Sequence, residues 1–276
     1  MPAPRFTESV FPRDVKKGSH RALGYIVLAR SGETLGLFAS ADRLSAVPTG
    51  AEGVERWSVP ARLERTPLRA FPFADTVVLK EDDRLVALDA ASGEERWQFR
   101  RSSRIVREVS MTDGVVVATV GGDDLRDPTY VYGVDAASGI ELWRLGPIDA
   151  RYHGRVVSGD GVTAFLPSEG SQAELHDVFT GHLVALAETG KVAASQSNLA
   201  WIEDGKLVVP VIDGALLRNF ENAIRAFDLD TGAQEWRIDL DRVAGTRRSL
   251  IGLVDMPLPS GGRSHVALLA PVQAPR

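Results

Sequence analysis

The sequence of 276 residues contains no cysteine, and this absence excludes disulfides, thiolate metal sites and cysteine nucleophiles. No run of about 18 apolar residues occurs, so no segment has the length of a transmembrane helix. Histidine is scarce as well, and its five copies show no spacing typical of a metal-binding pair on a helix or strand. These histidines are His20, His153, His176, His182 and His265. No cofactor is expected from this composition.

Basic residues are fewer than acidic ones, 32 against 37, which gives a formal net charge of -5 and a pI of about 5.6. An acidic chain is poorly suited to bind nucleic acid, and none is expected as a partner. The first residues, "MPAPRFTESVFPRDVKKGSH", lack the continuous apolar core of a signal peptide or anchor, so no membrane insertion is expected. The compartment stays open: the cytoplasm for the chain as written, or the cell envelope if a signal was removed.

One turn, by contrast, is repeated along the chain. The stretch "ALDAASGEERW" (87–97) returns as "GVDAASGIELW" (133–143) and as "AFDLDTGAQEW" (226–236). A weaker copy is "LHDVFTGHLVA" (175–185), and an eroded one is "LSAVPTGAEGVERW" (44–57). The turn glycines Gly93, Gly139, Gly181 and Gly232 are 46, 42 and 51 residues apart. A period of this length is typical of propeller blades.

Each period holds four short segments rich in β-branched residues. One period contains "RIVREVSM", a turn at Thr112–Gly114, "VVVATV", a loop, "TYVYGVDA", the Ser-Gly turn and "IELWRL". Four strands with short connections predict an antiparallel meander, and repeated meanders predict an all-β propeller of four-stranded blades. A β-sandwich is the alternative, but sandwiches do not repeat a tryptophan at a constant distance from a glycine.

The composition of the turn suggests the role of its residues. Glycine allows the positive φ of a tight hairpin or its bulge, and Asp with Ser or Thr can hydrogen-bond the backbone of the turn. The tryptophan four residues later is expected to fill the gap between neighbouring blades. This role is predicted for Trp97, Trp143 and Trp236. Ala185 stands at the tryptophan position of the weaker copy, so a looser contact is expected there.

These copies resemble the quinoprotein-type, pyrroloquinoline-quinone-like repeat, which reads Ala-x-Asp-x-x-Thr-Gly-x-x-x-Trp. The copy from Ala226 to Trp236 matches it at every position. The founding members are quinone-dependent dehydrogenases with an axial calcium and commonly a vicinal cysteine pair. This chain has no cysteine. The resemblance therefore implies the non-catalytic branch, which includes the lipoprotein propeller of the bacterial outer-membrane barrel-assembly machinery. Related propellers are attached to bacterial kinases.

Length and period together predict about six blades in a single domain over residues 1–276. Five hairpins end at Trp57, Trp97, Trp143, Ala185 and Trp236, and "SLIGLVDM" and "SHVALLAPV" supply two further strands. The N-terminal "FTESVFP" is predicted to add a strand to the sixth blade, because an unpaired edge would otherwise remain. Seven or eight shorter blades, or a fragment of a larger ring, are the alternatives.

Two long loops between second and third strands are the predicted partner-binding site, because loops carry binding while blades hold them. The loop from Gly121 to Thr129 is acidic, and the loop from Asp213 to Asn222 is apolar. The candidate residues are Asp123, Asp124, Asp127, Leu216, Leu217 and Phe220. The alternatives are a solvated or cation-binding loop for the acidic residues, and packing onto the blade for the apolar ones.

Two other groups of residues are interpreted as surface. The run "FRRSSRIVR", with Arg100, Arg101, Arg104 and Arg107, predicts solvated arginines or an anion or partner contact. His176 and His182 flank a turn and are expected to be exposed. The sequence as a whole predicts a non-enzymatic scaffold that binds protein partners within an assembly. The alternatives are a propeller that binds a small molecule or ion, and a quinone-type or other enzyme with an axial site.

Overall fold

The computed structural model describes residues 21–28, 31–40, 43–49, 54–60, 69–102, 104–122, 127–148, 156–166, 171–190, 200–213, 221–240, 248–257 and 263–271. The chain forms two compact units. The first comprises Met1–Ala150 with Phe179–Gly181, and the second comprises Arg151–Val178 with His182–Arg276. The single propeller domain expected over residues 1–276 stays a prediction.

All regular elements of the described residues are β-strands. They are β1 (Arg21–Val27), β2 (Thr34–Ala39), β3 (Arg43–Pro48), β4 (Trp57–Pro60), β5 (Arg69–Phe73), β6 (Thr76–Lys80), β7 (Arg84–Asp89), β8 (Glu95–Arg100), β9 (Ile105–Thr112), β10 (Val115–Gly121), β11 (Thr129–Asp135), β12 (Glu141–Ile148), β13 (Val156–Gly159), β14 (Val162–Phe165), β15 (Gln172–Asp177), β16 (Leu183–Glu188), β17 (Trp201–Glu203), β18 (Lys206–Asp213), β19 (Glu221–Asp228), β20 (Gln234–Leu240), β21 (Arg248–Pro257) and β22 (Arg263–Pro271).

The strands form five four-stranded antiparallel meanders and one two-stranded sheet. We call β1–β4, β5–β8, β9–β12, β13–β16 and β17–β20 blades 1 to 5; β21 pairs with β22. The all-β fold of four-stranded antiparallel sheets is confirmed, and β9–β12 are the four strands predicted from one period. The expected number of six blades stays a prediction. The "FTESVFP" segment lies outside the described residues.

The core lies between neighbouring sheets within each unit. In the first unit, one cluster includes Leu37 of blade 1 and Leu79 of blade 2, and another includes Phe99 of blade 2 and Val116 of blade 3. In the second unit, blades 4 and 5 share a cluster that includes Phe227. Strands β6 and β10 are buried along their whole length, because each face of a sheet must cover its apolar side chains against another element.

In the three strongest copies of the repeat, an aspartate side chain closes the turn. Asp135 Oδ1 accepts hydrogen bonds from Ser138 N at 2.7 Å and Ser138 Oγ at 2.6 Å, and Gly139 N donates to Asp135 O at 2.8 Å. Gly139 has a φ of +74°, which favours glycine. The β11–β12 ladder shifts register beside this turn, between Gly133 and Val134. The predicted combination of positive φ, side-chain hydrogen bonds and bulge is confirmed.

The tryptophans dock on the turn of the following repeat. Trp57 Nε1 donates to Ala90 O at 2.8 Å, and Trp97 Nε1 donates to Ala136 O at 3.1 Å. The indole of Trp97 lies so close to Gly139 that a Cβ built there would be 2.7 Å from the ring. The same contact joins Trp57 to Gly93, and Trp143 to Gly181 within the first unit. Glycine at this position therefore allows both the positive φ of the turn and the close approach of the indole.

Trp236 and Ala185 depart from this pattern. Trp236 is 36% exposed, against 7% for Trp57 and Trp143, so it is less covered than these two indoles, and its role in filling a gap between blades stays a prediction. The contact expected to be looser at Ala185 is instead a close backbone approach. A Cβ built at Gly232 would lie 2.1 Å from Leu186 O, so without an indole the β16 backbone itself meets the next turn.

The Asp89 turn predicts how stability responds to acid. Arg96 Nη2 donates to Asp89 Oδ2 at 2.5 Å, and Ala91 N and Ser92 N donate to Asp89 Oδ1 at 2.9 Å. Burial raises the pKa of Asp89, but these hydrogen bonds outweigh it and hold the pKa below its usual value. A carboxyl whose folded pKa is lowered stabilises the fold above its unfolded pKa of about 3.9, and this stability is lost as pH falls through the folded pKa.

We therefore expect Asp89→Asn to flatten the decline in unfolding free energy below about pH 4, while lowering that free energy at neutral pH. Urea denaturation at a series of pH values from about 3 to 7 measures both effects. Glu94→Gln, an exposed carboxylate of the same turn, is the matched control and should leave the slope unchanged. An Asp89→Asn protein with the wild-type pH dependence would contradict this role.

Candidate protein-interaction surface

The structure gives the boundaries of the two loops that carry the predicted site. The acidic loop runs between β10 and β11, and the apolar loop runs between β18 and β19, as predicted. The candidate residues Asp123, Asp124, Leu216, Leu217 and Phe220 lie outside the described residues. Asp127 is described and is half-buried. That the two loops share a partner site stays a prediction.

Two arginines hold the ends of the acidic loop. Arg107 Nη2 donates to Gly122 O at 2.6 Å, and Arg104 Nη1 donates to Pro128 O at 2.7 Å. The carboxylate of Asp127 also folds back on Gly122, where a built Cβ would lie 2.0 Å from Asp127 Oδ2. A side chain at position 122 would therefore need Asp127 to move. Both ends of the loop are tied to strand β9 or to the residue just before it, Arg104.

Aromatic rings of β11 and β8 support the arginines. The Arg101 guanidinium carbon lies 4.3 Å from the centre of the Phe99 ring and 4.9 Å from that of Tyr132. Arg104 lies 4.7 Å from the ring centre of Tyr130. Distances below about 6 Å allow attraction between the cation and the ring face. The side chains sit against β11 because its alternation places Tyr130 and Tyr132 on one face.

We call Arg101, Arg104, Tyr130 and Arg144 the arginine–tyrosine surface. Arg144 is exposed and lies 5.9 Å from the Tyr130 ring centre, while Arg101 forms an ion pair with Glu141. Phe99 and Tyr132 are buried beneath this layer. The interpretation of the arginine run as merely solvated is therefore incomplete. The pattern "TYVY" opposite an arginine-rich segment was the sequence signal for this stacking.

Tyrosine and arginine are enriched at protein–protein interfaces, and a stacked guanidinium is already partly ordered before binding. The planar N–H donors of a guanidinium can bind a carboxylate of a partner through two parallel hydrogen bonds. The surface is positively charged on a chain whose formal net charge is -5. Chemically, this arrangement can bind an exposed carboxylate and a flat apolar group together.

His176 is not the exposed residue that the sequence predicts. It is buried, its ring centre lies 4.8 Å from that of Phe165, and its Nε2 is 3.0 Å from Glu174 Oε2. The hydrogen bond to His176 lowers the pKa of Glu174 despite an opposing effect of burial. Across the described parts of the chain, no three His, Asp or Glu side chains are grouped as metal ligands would be. The same residues contain no helix long and apolar enough to cross a membrane.

Comparison with known families decides the relationship. A family model described as "Outer membrane protein assembly factor BamB" matches residues 40–149 and 127–262. The chain belongs to this family of PQQ-like propellers. The matched ranges take in the repeated turns from Gly93 to Gly232 and both long loops.

Solved structures and a curated relative resemble this PQQ-like propeller to different extents. Sqt1 of Saccharomyces cerevisiae covers 92% of this chain and 72% of its own, with 12% identity and a TM-score of 0.54, which supports the fold alone. BamB of Moraxella catarrhalis covers 89% of this chain and 74% of its own, with 15% identity and a TM-score of 0.49. The serine/threonine-protein kinase AfsK of Streptomyces griseus is 33% identical over 99 residues, which are 34% of this chain but only 12% of that kinase.

Proposed function

We propose that this PQQ-like propeller is a non-enzymatic scaffold that binds protein partners within a multiprotein assembly. One observation carries the proposal: Arg107 and Arg104 hydrogen-bond the two ends of the acidic loop, and Arg104 also stacks on Tyr130 in the arginine–tyrosine surface. A loop held at both ends loses less conformational entropy on binding than a loose one. The family match to a protein described as an assembly factor agrees with such a role.

Within this proposal the candidate residues divide into two roles. Asp123, Asp124 and Asp127 would steer a partner and set its register, because charge mainly affects association rate and specificity. Leu216, Leu217 and Phe220 would serve as apolar anchors. Tyr130 and Arg144 join them as contact residues that the sequence did not single out. The kinase activity of AfsK is not carried over, since the match covers 12% of that protein.

We expect the double variant Tyr130→Ser with Arg144→Glu to reduce recovery of a native partner by about tenfold or more, because tyrosine and arginine are enriched among interface hot spots and a combined loss of about 1.4 kcal/mol is tenfold. The measurement is a quantitative pull-down from the native source with mass spectrometry, comparing variant with wild type. Glu94→Lys, a charge reversal on an exposed turn of blade 2, is the control and should recover the same partners.

A second variant, Leu217→Asp with Phe220→Ser, tests the apolar loop in the same pull-down. A folded protein that loses the same partner would support a contribution of both loops to binding that partner. If both double variants stay folded and still recover every wild-type partner, the proposed site is wrong. If Leu217→Asp with Phe220→Ser unfolds the protein, the loop packs on its own blade and only the arginine–tyrosine surface remains in the proposal.

A further inference from the structure

The outer strand of blade 4 exposes apolar side chains at three positions where blades 2 and 5 carry polar ones, and blade 3 has one apolar residue there, Leu142. Leu183, Val184 and Leu186 of β16 are 53%, 42% and 43% exposed. Aligned on the turn glycine, the same positions of β8 hold Glu95, Arg96 and Gln98. Large exposed apolar groups in a cluster mark interaction sites more often than scattered ones do.

The strand that carries these side chains is also an edge. In the described sheet of blade 4, β16 pairs with β15 on one side and is the last strand on the other. The turn of blade 5 reaches it at Leu186 O, through Gly232. The part from Leu183 to Ala185 contains a bulge in the ladder, between the partners of Leu175 and His176. Edge strands are commonly protected by lysine or proline, and β16 contains neither.

Blade 4 is acidic throughout. From Val156 to Gly190 the sequence contains no lysine or arginine and five acidic residues: Asp160, Glu169, Glu174, Asp177 and Glu188. Two of them border the apolar patch. Glu174 lies directly opposite Leu186 in the ladder, and Glu188 follows Leu186 by two residues, so all three share one face of the sheet. The patch is therefore apolar in its centre and negatively charged at its border.

We propose that the outer strand of blade 4 docks an extended protein segment in which apolar side chains are flanked by lysine or arginine. The apolar residues would cover Leu183, Val184 and Leu186, and the cations would meet Glu174 and Glu188. A second copy of this chain is a poorer occupant, because it would bring five further acidic residues against these five. The proposal rests on the scaffold function above but concerns a different surface. Three central side chains suit a weak, transient contact.

Synthetic peptides test this proposal directly. The probes are fluorescein-labelled Lys-Val-Lys-Leu-Lys-Val-Lys, its acidic counterpart Glu-Val-Glu-Leu-Glu-Val-Glu, and the basic polar Lys-Ser-Lys-Ser-Lys-Ser-Lys. Fluorescence anisotropy at low and physiological salt measures their affinity for the full chain. The basic apolar peptide should bind at least about tenfold more tightly than either of the others, with an affinity that falls as salt rises.

Substitutions in β16 test whether the peptide binds at this strand. Leu183→Lys with Leu186→Lys should weaken binding of the basic apolar peptide at least about tenfold, and Glu188→Gln should mainly reduce its salt dependence. Ile140→Lys is the matched control, since Ile140 is 64% exposed just before the outer strand β12, and it should bind as wild type. Thermal unfolding by circular dichroism checks the fold, and Leu183→Ser with Leu186→Ser replaces the lysine variant if that one unfolds.

Three outcomes would overturn the proposal. The first is equal binding of the three peptides, and the second is wild-type binding by a folded Leu183/Leu186 variant. The third is a concentration-dependent dimer that these substitutions dissociate, which would make a second copy the occupant. Tyr130→Ser with Arg144→Glu should keep wild-type peptide binding. Failure of the loop site in the pull-down is thus separable from failure of the blade 4 site.

Discussion

Replacing Trp143 with alanine is expected to lower the free energy of unfolding by about 3–5 kcal/mol, the range for large aromatic side chains truncated in a core. Trp143 is 7% exposed, and its indole covers Gly181 so closely that a Cβ there would lie 2.7 Å from the ring. Removing the ring leaves a cavity that a turn held by backbone hydrogen bonds is poorly able to fill.

Trp236→Ala is the matched control for this substitution. The residue stands at the same position of its repeat but is 36% exposed, so less apolar surface returns to water when it is truncated. We expect less than half the loss found at Trp143. Urea denaturation followed by circular dichroism measures both. Equal losses at the two positions would contradict a stabilising role for the burial of Trp143 on the next turn.

Replacing Gly139 with alanine is expected to cost about 2–5 kcal/mol, from two separate sources. A left-handed backbone costs an L-residue about 1–2 kcal/mol, and Gly139 has a φ of +74°. The new methyl group would also lie 2.7 Å from the Trp97 indole, and overpacking of this kind costs about 1–3 kcal/mol. The two effects together exceed those of an ordinary turn glycine.

Gly205→Ala separates the two sources. Gly205 has a φ of +71°, but no atom lies within 4 Å of a Cβ built there, so only the backbone cost of about 1–2 kcal/mol should appear. The double variant Trp97→Ala with Gly139→Ala then tests the contact itself. Its loss should fall short of the sum of the single losses, because truncating the indole removes the collision. Additive losses in chemical denaturation would show that Gly139 and Trp97 do not act as a pair.

Most of the fold could be predicted from sequence because it depends on local chemistry. The β-branched run "VVVATV" and the Asp-x-x-Ser-Gly turn predict strand and hairpin directly, and β10 and the turn at Asp135 are as expected. The positive φ of Gly139 was predicted from its position in the turn. The repeat made these local predictions mutually consistent, which is why the all-β fold and its relationship to PQQ-like propellers were accessible before the structure.

Less of the candidate site than of the fold could be predicted from the sequence. The loop boundaries followed from the strands, but the hydrogen bonds from Arg104 and Arg107 to the ends of the acidic loop did not. These bonds join segments separated by 15 and 24 residues, and their geometry depends on how β9 and β11 are placed across β10. Charge pattern alone could not distinguish a solvated arginine from one stacked on Tyr130.

What the sequence determined by itself is the repeating unit: four strands, an aspartate-closed turn, and a turn glycine. Any other residue at that glycine position would adopt a strained backbone. These features depend on backbone conformation and on neighbours a few residues away. The tertiary structure decided which copies of the motif are used in packing. Trp143 is buried while Trp236 is exposed, His176 is buried against Phe165, and the β16 backbone takes the place of an indole beside Gly232. Burial depends on which residues the neighbouring blade places opposite each side chain. The sequence of one repeat does not specify those residues.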